Sequence, residues 1–436
     1  MHAGPGFCTL GENVMPRIEA VFLTAALLIS LGGHDVHAQA AAATTDAAPA
    51  ADAASAPAAI EQDAAFQQWL GDLRIEARAK GVSDATLDTA LRDVKLIEKV
   101  IKLDRKQPEF TQTFWRYLDL RVNDKRITRG RELLRKHRKL LNAVWKKYGV
   151  QPRFLVSFWG LESNFGDHFG GYPVVQALVT LAYDPRRARF FRVQLLEALQ
   201  ILDRGDISHE QMKGSWAGAM GHLQFIPSTF IRYAVDGDGD GRRDIWNSLP
   251  DVFESAANYL SKIGWKDRRS WGREIRLPKN FNYDLASLDI RKPLAAWQKL
   301  GVRRIDGRAL PKAAIDAAVV LPAGHKGPAF LVYDNFYRIL NWNRSVLYAL
   351  AVGHLADRYG GIGPLQGKRP AQETPLSRDM IKEMQDLLGA QGYRVGTPDG
   401  VVGPLTRSAI RAFQKTKRLP ADGFPSADLL DQLRGG

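Results

Sequence analysis

Glu162 ends an apolar run, Phe154-Leu-Val-Ser-Phe-Trp-Gly-Leu-Glu-Ser-Asn-Phe-Gly166, in a chain of 436 residues. Pro152 suits a first helical turn, where a missing N–H leaves nothing unpaired, and Gly166 is a natural terminator. The spacing therefore predicts a short helix that carries one carboxylate to its C-terminal end. Phe158, Trp159 and Leu161 crowd that carboxylate, and the negative end of the helix dipole opposes its charge. Both effects raise its pKa. A carboxylic acid still protonated near neutrality can give its proton to a glycosidic oxygen, which an ordinary exposed glutamate cannot. On its own, E-S-x-F-G also fits a surface glutamate at a helix end.

A second stretch, Ser215-Trp-Ala-Gly-Ala-Met-Gly-His-Leu-Gln-Phe-Ile-Pro-Ser-Thr-Phe230, is rich in small residues that let a backbone approach a ligand. Gln224 within it offers both a donor and an acceptor, which suits sugar hydroxyls and acetamides. A third, spanning residues 236–247, places Asp236, Asp238 and Asp240 at positions 1, 3 and 5 of a Ca²⁺ loop. Gly241 falls at the turn, the Arg242 carbonyl at position 7 and Asp244 at position 9. Two departures stand out: Arg243 replaces the usual hydrophobe, and Asn247 replaces the bidentate glutamate. The expected cofactor is a structural Ca²⁺, with a metal-free Asp/Gly turn as the alternative. No organic cofactor is expected, because the chain has no Gly-rich phosphate loop, His-rich cluster or Cys pair.

The hydrophobic content of 45% and aromatic content of 9% belong to a folded chain with a large core. A net charge of +14 predicts attraction to a polyanion, whether nucleic acid, anionic membrane or a phosphate-bearing wall. Residues 1–38 read as a cleaved signal peptide, with Met15 a candidate start, so the mature chain would have no transmembrane anchor. The one cysteine, Cys8, precedes the apolar run, so disulfides are excluded from the mature chain. Residues 39–60, rich in Ala and Pro, read as a disordered tether. Phe66, Leu70, Leu73 and Ala77 then recur at helical spacing, Gly81 closes that helix, and Ser83 suits an N-cap.

The stripe Ile127, Leu134, His137, Leu141, Val144 and Tyr148 predicts one amphipathic helix with a strongly basic outer face, His137 being a core residue. Helices follow at about 173–182 and 187–203. Between 275 and 333, short β-rich runs separated by Pro and Gly predict a small sheet inserted in a helical body. Ser345 to Tyr359 returns to helix, and residues 361–375 form a linker.

With both motifs in hand, the E-S-x-F-G helix followed by G-A-M-G-x-x-Q-F-x-P-S-x-F strongly resembles the lysozyme-like lytic murein transglycosylases, and residues 62–360 resemble the B-type family. The expected fold is α+β, predominantly α: a catalytic domain over 61–360 with a small β-rich insertion, then a three-helix domain over 376–436. That last segment resembles the peptidoglycan-binding domain found beside many wall hydrolases. The resemblance implies that Glu162 is catalytic. It also implies that Tyr117, Ser163, Met220, Gln224, Tyr259, Trp342 and Asn343 line sugar subsites, and that 236–247 is an EF-hand-like loop. Where the family commonly has Tyr, this chain has Trp342, so a hydroxyl is lost.

No second acidic residue stands out beside Glu162, although ordinary glycosidases use two, about 5–9.5 Å apart. The resemblance supplies the answer: the 6-hydroxyl of N-acetylmuramic acid attacks its own anomeric carbon, giving 1,6-anhydromuramic acid ends. The alternatives are a hydrolytic muramidase and a non-catalytic wall-binding protein. The implied partners are peptidoglycan glycan strands and other cell-wall enzymes, without nucleic acid, in the periplasm.

Overall fold

Apolar residues every three or four positions build most of this chain, and the computed structural model describes residues 55–105, 112–370 and 374–435, by backbone alone before Ala64. The expected signal segment and the tether up to residue 54 lie outside the described residues. The first helix, Ser55–Ala79, begins inside the expected tether rather than after it. Alanine is the best helix former and Pro57 is tolerated in a first turn, so helical propensity prevails there. Phe66, Leu70, Leu73 and Ala77 are buried, and Ser83 caps the next helix by accepting the Thr86 N–H at 3.3 Å.

The basic stripe forms two helices, Asp124–Lys136 and Arg138–Tyr148, not the single one its spacing suggests. The break falls at His137, whose ring lies 6.1 Å from that of Trp159 and 6.4 Å from that of Phe253. Bending there keeps Ile127, Leu141 and Val144 all buried in the same core. The central helix, Pro152–Ser163, is buried along nearly its whole length and packs against Val346–Tyr359.

The inserted sheet is five-stranded and wholly antiparallel. Its order runs Lys292–Pro293, Asp316–Val320, Ala329–Val332, Gly272–Arg276, Arg303–Arg304. Ala318, Val320, Phe330 and Val332 enter the main helical core, while Ala317, Val319, Ala329 and Leu331 face a second core around Trp297. Both faces are covered, which is why these strands read as unbroken apolar runs instead of alternating ones.

The C-terminal helices Arg378–Ala390, Pro404–Thr416 and Ala427–Arg434 close on a third core of Ile381, Met384, Leu388, Ile410, Phe413 and Leu430. Each of its Asp-Gly turns is latched by a buried glutamine. Gln385 accepts the Gly400 N–H at 2.8 Å and donates to Asp399 at 3.1 Å; Gln414 accepts from Gly423 at 2.9 Å and donates to Asp422 at 2.7 Å. The free oxygen of Asp422 then accepts the His325 backbone N–H at 2.8 Å and its ring nitrogen at 2.6 Å. Gly324 permits this docking: its φ is +67° and a Cβ there would lie 2.9 Å from that oxygen.

Candidate active site

Glu162 sits on the last turn of the helix Pro152–Ser163, which ends through three consecutive left-handed residues, Asn164 (φ 51°), Phe165 (φ 64°) and Gly166 (φ 87°). Such a run is costly and is characteristic of functional sites. Gly166 is also where the first two sequence motifs meet, since a Cβ there would lie 2.2 Å from the His222 ring. That ring is held on both sides: its Nδ1 accepts the Trp159 indole N–H at 2.7 Å, and its Nε2 donates to the Trp246 carbonyl at 3.0 Å. The Ser215–Phe230 loop is thereby locked to the helix that carries Glu162.

The Glu162 carboxyl receives two donors on one oxygen. The Trp342 indole N–H reaches Oε1 at 2.8 Å, and the Tyr348 hydroxyl donates to the same atom. Burial pushes the carboxyl up to about 7, against the opposing effects of Tyr348, Trp342 and, at longer range, Arg121. Burial and the Glu162 charge hold the Tyr348 phenol well above its ordinary value, so it remains a donor. With Oε1 occupied as an acceptor, a proton on the carboxyl belongs on Oε2.

Around this group stand the partly exposed Trp342, Tyr259 and Tyr117, backed by the buried Phe158 and Phe225. The Trp342 ring lies 4.4 Å from Phe158, 5.1 Å from Tyr259 and 5.2 Å from Phe225. Burial and the Glu162 charge raise the Tyr117 phenol, which places Tyr117 on the same side of the site. Two hollows, of about 470 and 320 Å³, lie elsewhere, on the C-terminal domain and beneath residues 364–369. Glu162 borders neither.

The structure brings Glu162, Tyr117, Tyr259 and Trp342 together. Gln224 braces its own loop by donating to the Phe169 and Gly221 carbonyls, each at 3.0 Å. Asn343 caps the Asp334–Trp342 helix, and its Oδ1 accepts the Ser345 N–H at 3.0 Å. Ser163 and Met220, expected to line sugar subsites, lie in the interior. Both are 0% exposed, and the Ser163 hydroxyl is spent on the Trp159 carbonyl and the Gly166 N–H. They shape the turn and the loop but present no surface to a ligand. The hydroxyl expected to be lost at Trp342 is replaced by its indole N–H.

In the acidic loop, the carboxylates that converge are Asp236, Asp238 and Asp251, with oxygens within 4.8 Å of one another. Asp240 and Asp244 turn instead to backbone N–H groups of Arg242 and Trp246, each at 2.8 Å. Asn247 gives its amide to Asp244 at 2.9 Å. The position expected of Asn247 is taken by Asp251, which is fully buried and points back from the first turn of the helix Leu249–Lys262. Arg243 leaves the loop to pair with Asp206 and lies 4.9 Å over the Phe230 ring.

Sequence reasoning missed Tyr348, Asp251 and Arg121. Only Asp251 had a local signal, the Ser248-x-x-Asp251 cap just beyond the loop.

Residues 65–357 match the family described as the transglycosylase SLT domain, and residues 377–433 match a family of peptidoglycan binding domains. The membrane-bound lytic murein transglycosylase B of Escherichia coli K12 is 29% identical over 300 residues, covering 64% of this chain and 78% of that protein. The crystal structure of Pseudomonas aeruginosa SltB3 in complex with NAG-anhNAM-pentapeptide is 47% identical, covers 85% of this chain and 99% of that one, and superposes with a TM-score of 0.83. The E. coli lytic transglycosylase Slt35 in complex with calcium is 27% identical, with 68% and 92% coverage and a TM-score of 0.58. Fold and site together define a lysozyme-like lytic transglycosylase of peptidoglycan. The chain belongs to the transglycosylase SLT family.

Proposed function

We propose that the chain cleaves the MurNAc–GlcNAc β-1,4 bond of peptidoglycan without water, using Glu162 as both acid and base. The proton on Oε2 passes to the bridging oxygen as the C1–O bond breaks, leaving a 4-hydroxyl on the departing GlcNAc. The 6-hydroxyl oxygen of the same MurNAc bonds to C1 and returns its proton to the Glu162 carboxylate. The acid is thereby regenerated and the new end is 1,6-anhydroMurNAc. Trp342 and Tyr348 stabilise the carboxylate while it is charged and keep Oε2 the reacting atom. The observation that carries this reading is the Glu162 carboxyl held through Oε1 by the Trp342 and Tyr348 donors, which leaves Oε2 to react, in surroundings that raise its pKa to about 7.

Mass spectrometry of digested sacculi tests it. Anhydro ends are expected, and Glu162→Gln is expected to bind strands without turning them over. Reducing ends one water heavier would instead support a hydrolytic muramidase, and uncut sacculi a binding protein.

The Asp236, Asp238 and Asp251 oxygens suit a hard divalent cation such as Ca²⁺, which would offset like charges brought together around a buried carboxyl. Burial, with some contribution from Asp238, raises Asp251, in keeping with a site that favours a cation. Such an ion would hold the loop and the helix Leu249–Lys262, which carries Tyr259. The C-terminal domain would raise the local concentration of wall substrate. A periplasmic location and contact with other wall enzymes complete the proposal.

A further inference from the structure

Three of the more deeply buried arginine side chains in this protein are matched to carboxylates. Arg187 pairs with Asp104, Arg192 with Glu76, and Arg243 with Asp206. Arg121, whose charge acts on Glu162, is not among them. Arg121 is half-buried at the end of the helix Phe114–Arg121, one turn after Tyr117, with its guanidinium carbon 5.6 Å from that ring. No ion pair among the described residues includes it.

The neighbouring Arg126 does not neutralise it. Its guanidinium donates to the Leu120 and Arg121 carbonyls at 3.2 and 2.6 Å and to the Asn164 amide oxygen at 3.2 Å, all uncharged acceptors. The repulsion between the two arginines contributes to lowering the Arg126 pKa, after burial. The anion that Arg121 acts upon is Glu162, and that group must be protonated to begin the reaction. With Glu162 protonated, no carboxylate among the described residues is paired with the Arg121 guanidinium that lies against Tyr117.

We propose that a substrate carboxylate pairs with this guanidinium and that Arg121 is a binding residue that selects for that carboxylate. The proposal rests on the reading of this site as one that cleaves peptidoglycan. Muramic acid differs from a neutral N-acetylglucosamine unit by its lactyl ether. That ether ends in a carboxylate when bare, or in a stem peptide bearing carboxylates of its own. A guanidinium is suited to either, because its planar fork matches a carboxylate with two parallel hydrogen bonds.

The test compares the full chain with Arg121→Gln and Arg121→Lys on three substrates: strands with stem peptides, strands stripped of peptide to free the lactyl carboxylate, and strands whose carboxylates have been amidated. Rates are taken at about pH 6, below the Glu162 midpoint of about 7. Arg121→Gln is expected to raise KM about tenfold on the carboxylate-bearing strands with kcat little changed, and Arg121→Lys to recover part of the loss. Amidated strands should not distinguish wild type from Arg121→Gln. Whichever of the first two substrates shows the larger loss identifies the lactyl or the stem-peptide carboxylate. An unchanged KM, an equal loss on amidated strands, or a shifted pH profile with KM unaltered would each overturn the proposal. If wild type cuts no strand, the lytic reading fails. Binding of native against amidated strands to Glu162→Gln, with and without Arg121→Gln, then still decides the role of Arg121.

Discussion

Trp342→Phe isolates one hydrogen bond of the site. Phenylalanine keeps a ring against Phe158, Tyr259 and Phe225 but removes the N–H that reaches Glu162 Oε1 at 2.8 Å. A bond to a charged acceptor contributes about 1.5–3 kcal/mol, and one to the neutral acid about 0.5–1.5. Losing it therefore penalises the carboxylate over the acid by roughly 1–1.5 kcal/mol, or about one pKa unit. The Glu162 midpoint should climb from about 7 to roughly 8, because removal of a donor disfavours the ionised form. In a pH series of kcat, the limb on which activity falls as pH rises should move up by roughly one unit. The maximum should fall by up to about tenfold, since the proton leaves a less stabilised carboxylate. Trp342→Tyr restores a donor and should return the limb toward that of wild type. An unmoved limb in Trp342→Phe, or equal shifts in the Phe and Tyr variants, would refute the role given to this bond.

On the proposed Ca²⁺ site, a chelator should lower the melting temperature by about 5 °C. Asp251→Asn should abolish that calcium response while Asp240→Asn retains it, as thermal unfolding with and without added Ca²⁺ can show. Asp357, which accepts the Trp271 indole N–H at 2.9 Å, is raised by burial from 3.8 to about 6, with Arg153 and Arg273 opposing. The folded state thus holds this proton longer than the unfolded chain. The associated stability is complete below about pH 4 and lost as pH rises through about 6. Asp357→Asn should therefore gain on wild type between those limits, by roughly 3 kcal/mol at most, in urea unfolding at the two pH values.

Local patterns made much of this protein legible. Glu162 shows because its helix, its terminating glycine and its apolar flanks are contiguous. The sheet shows because strands covered on both faces must be apolar throughout. Tyr348 did not show: it meets Glu162 across 186 residues and reads as one more core residue of the Val346–Tyr359 helix. Motif membership also failed to separate scaffold from ligand contact. Ser163 and Met220 sit inside the two motifs yet are buried, because a turn that aims one carboxyl needs interior atoms behind it. The break at His137 was hidden for a different reason, since residues on either side of a bend can keep one stripe when both halves lie on one core.

A ¹³C titration of the glutamate side-chain carboxyls, with Glu162 assigned as the signal absent from Glu162→Gln, reads the proton on which cleavage depends. The midpoint is expected near 7. A value near 4.5, the ordinary one for glutamate, would leave too little acid at neutral pH to protonate a leaving oxygen and would contradict the assigned role.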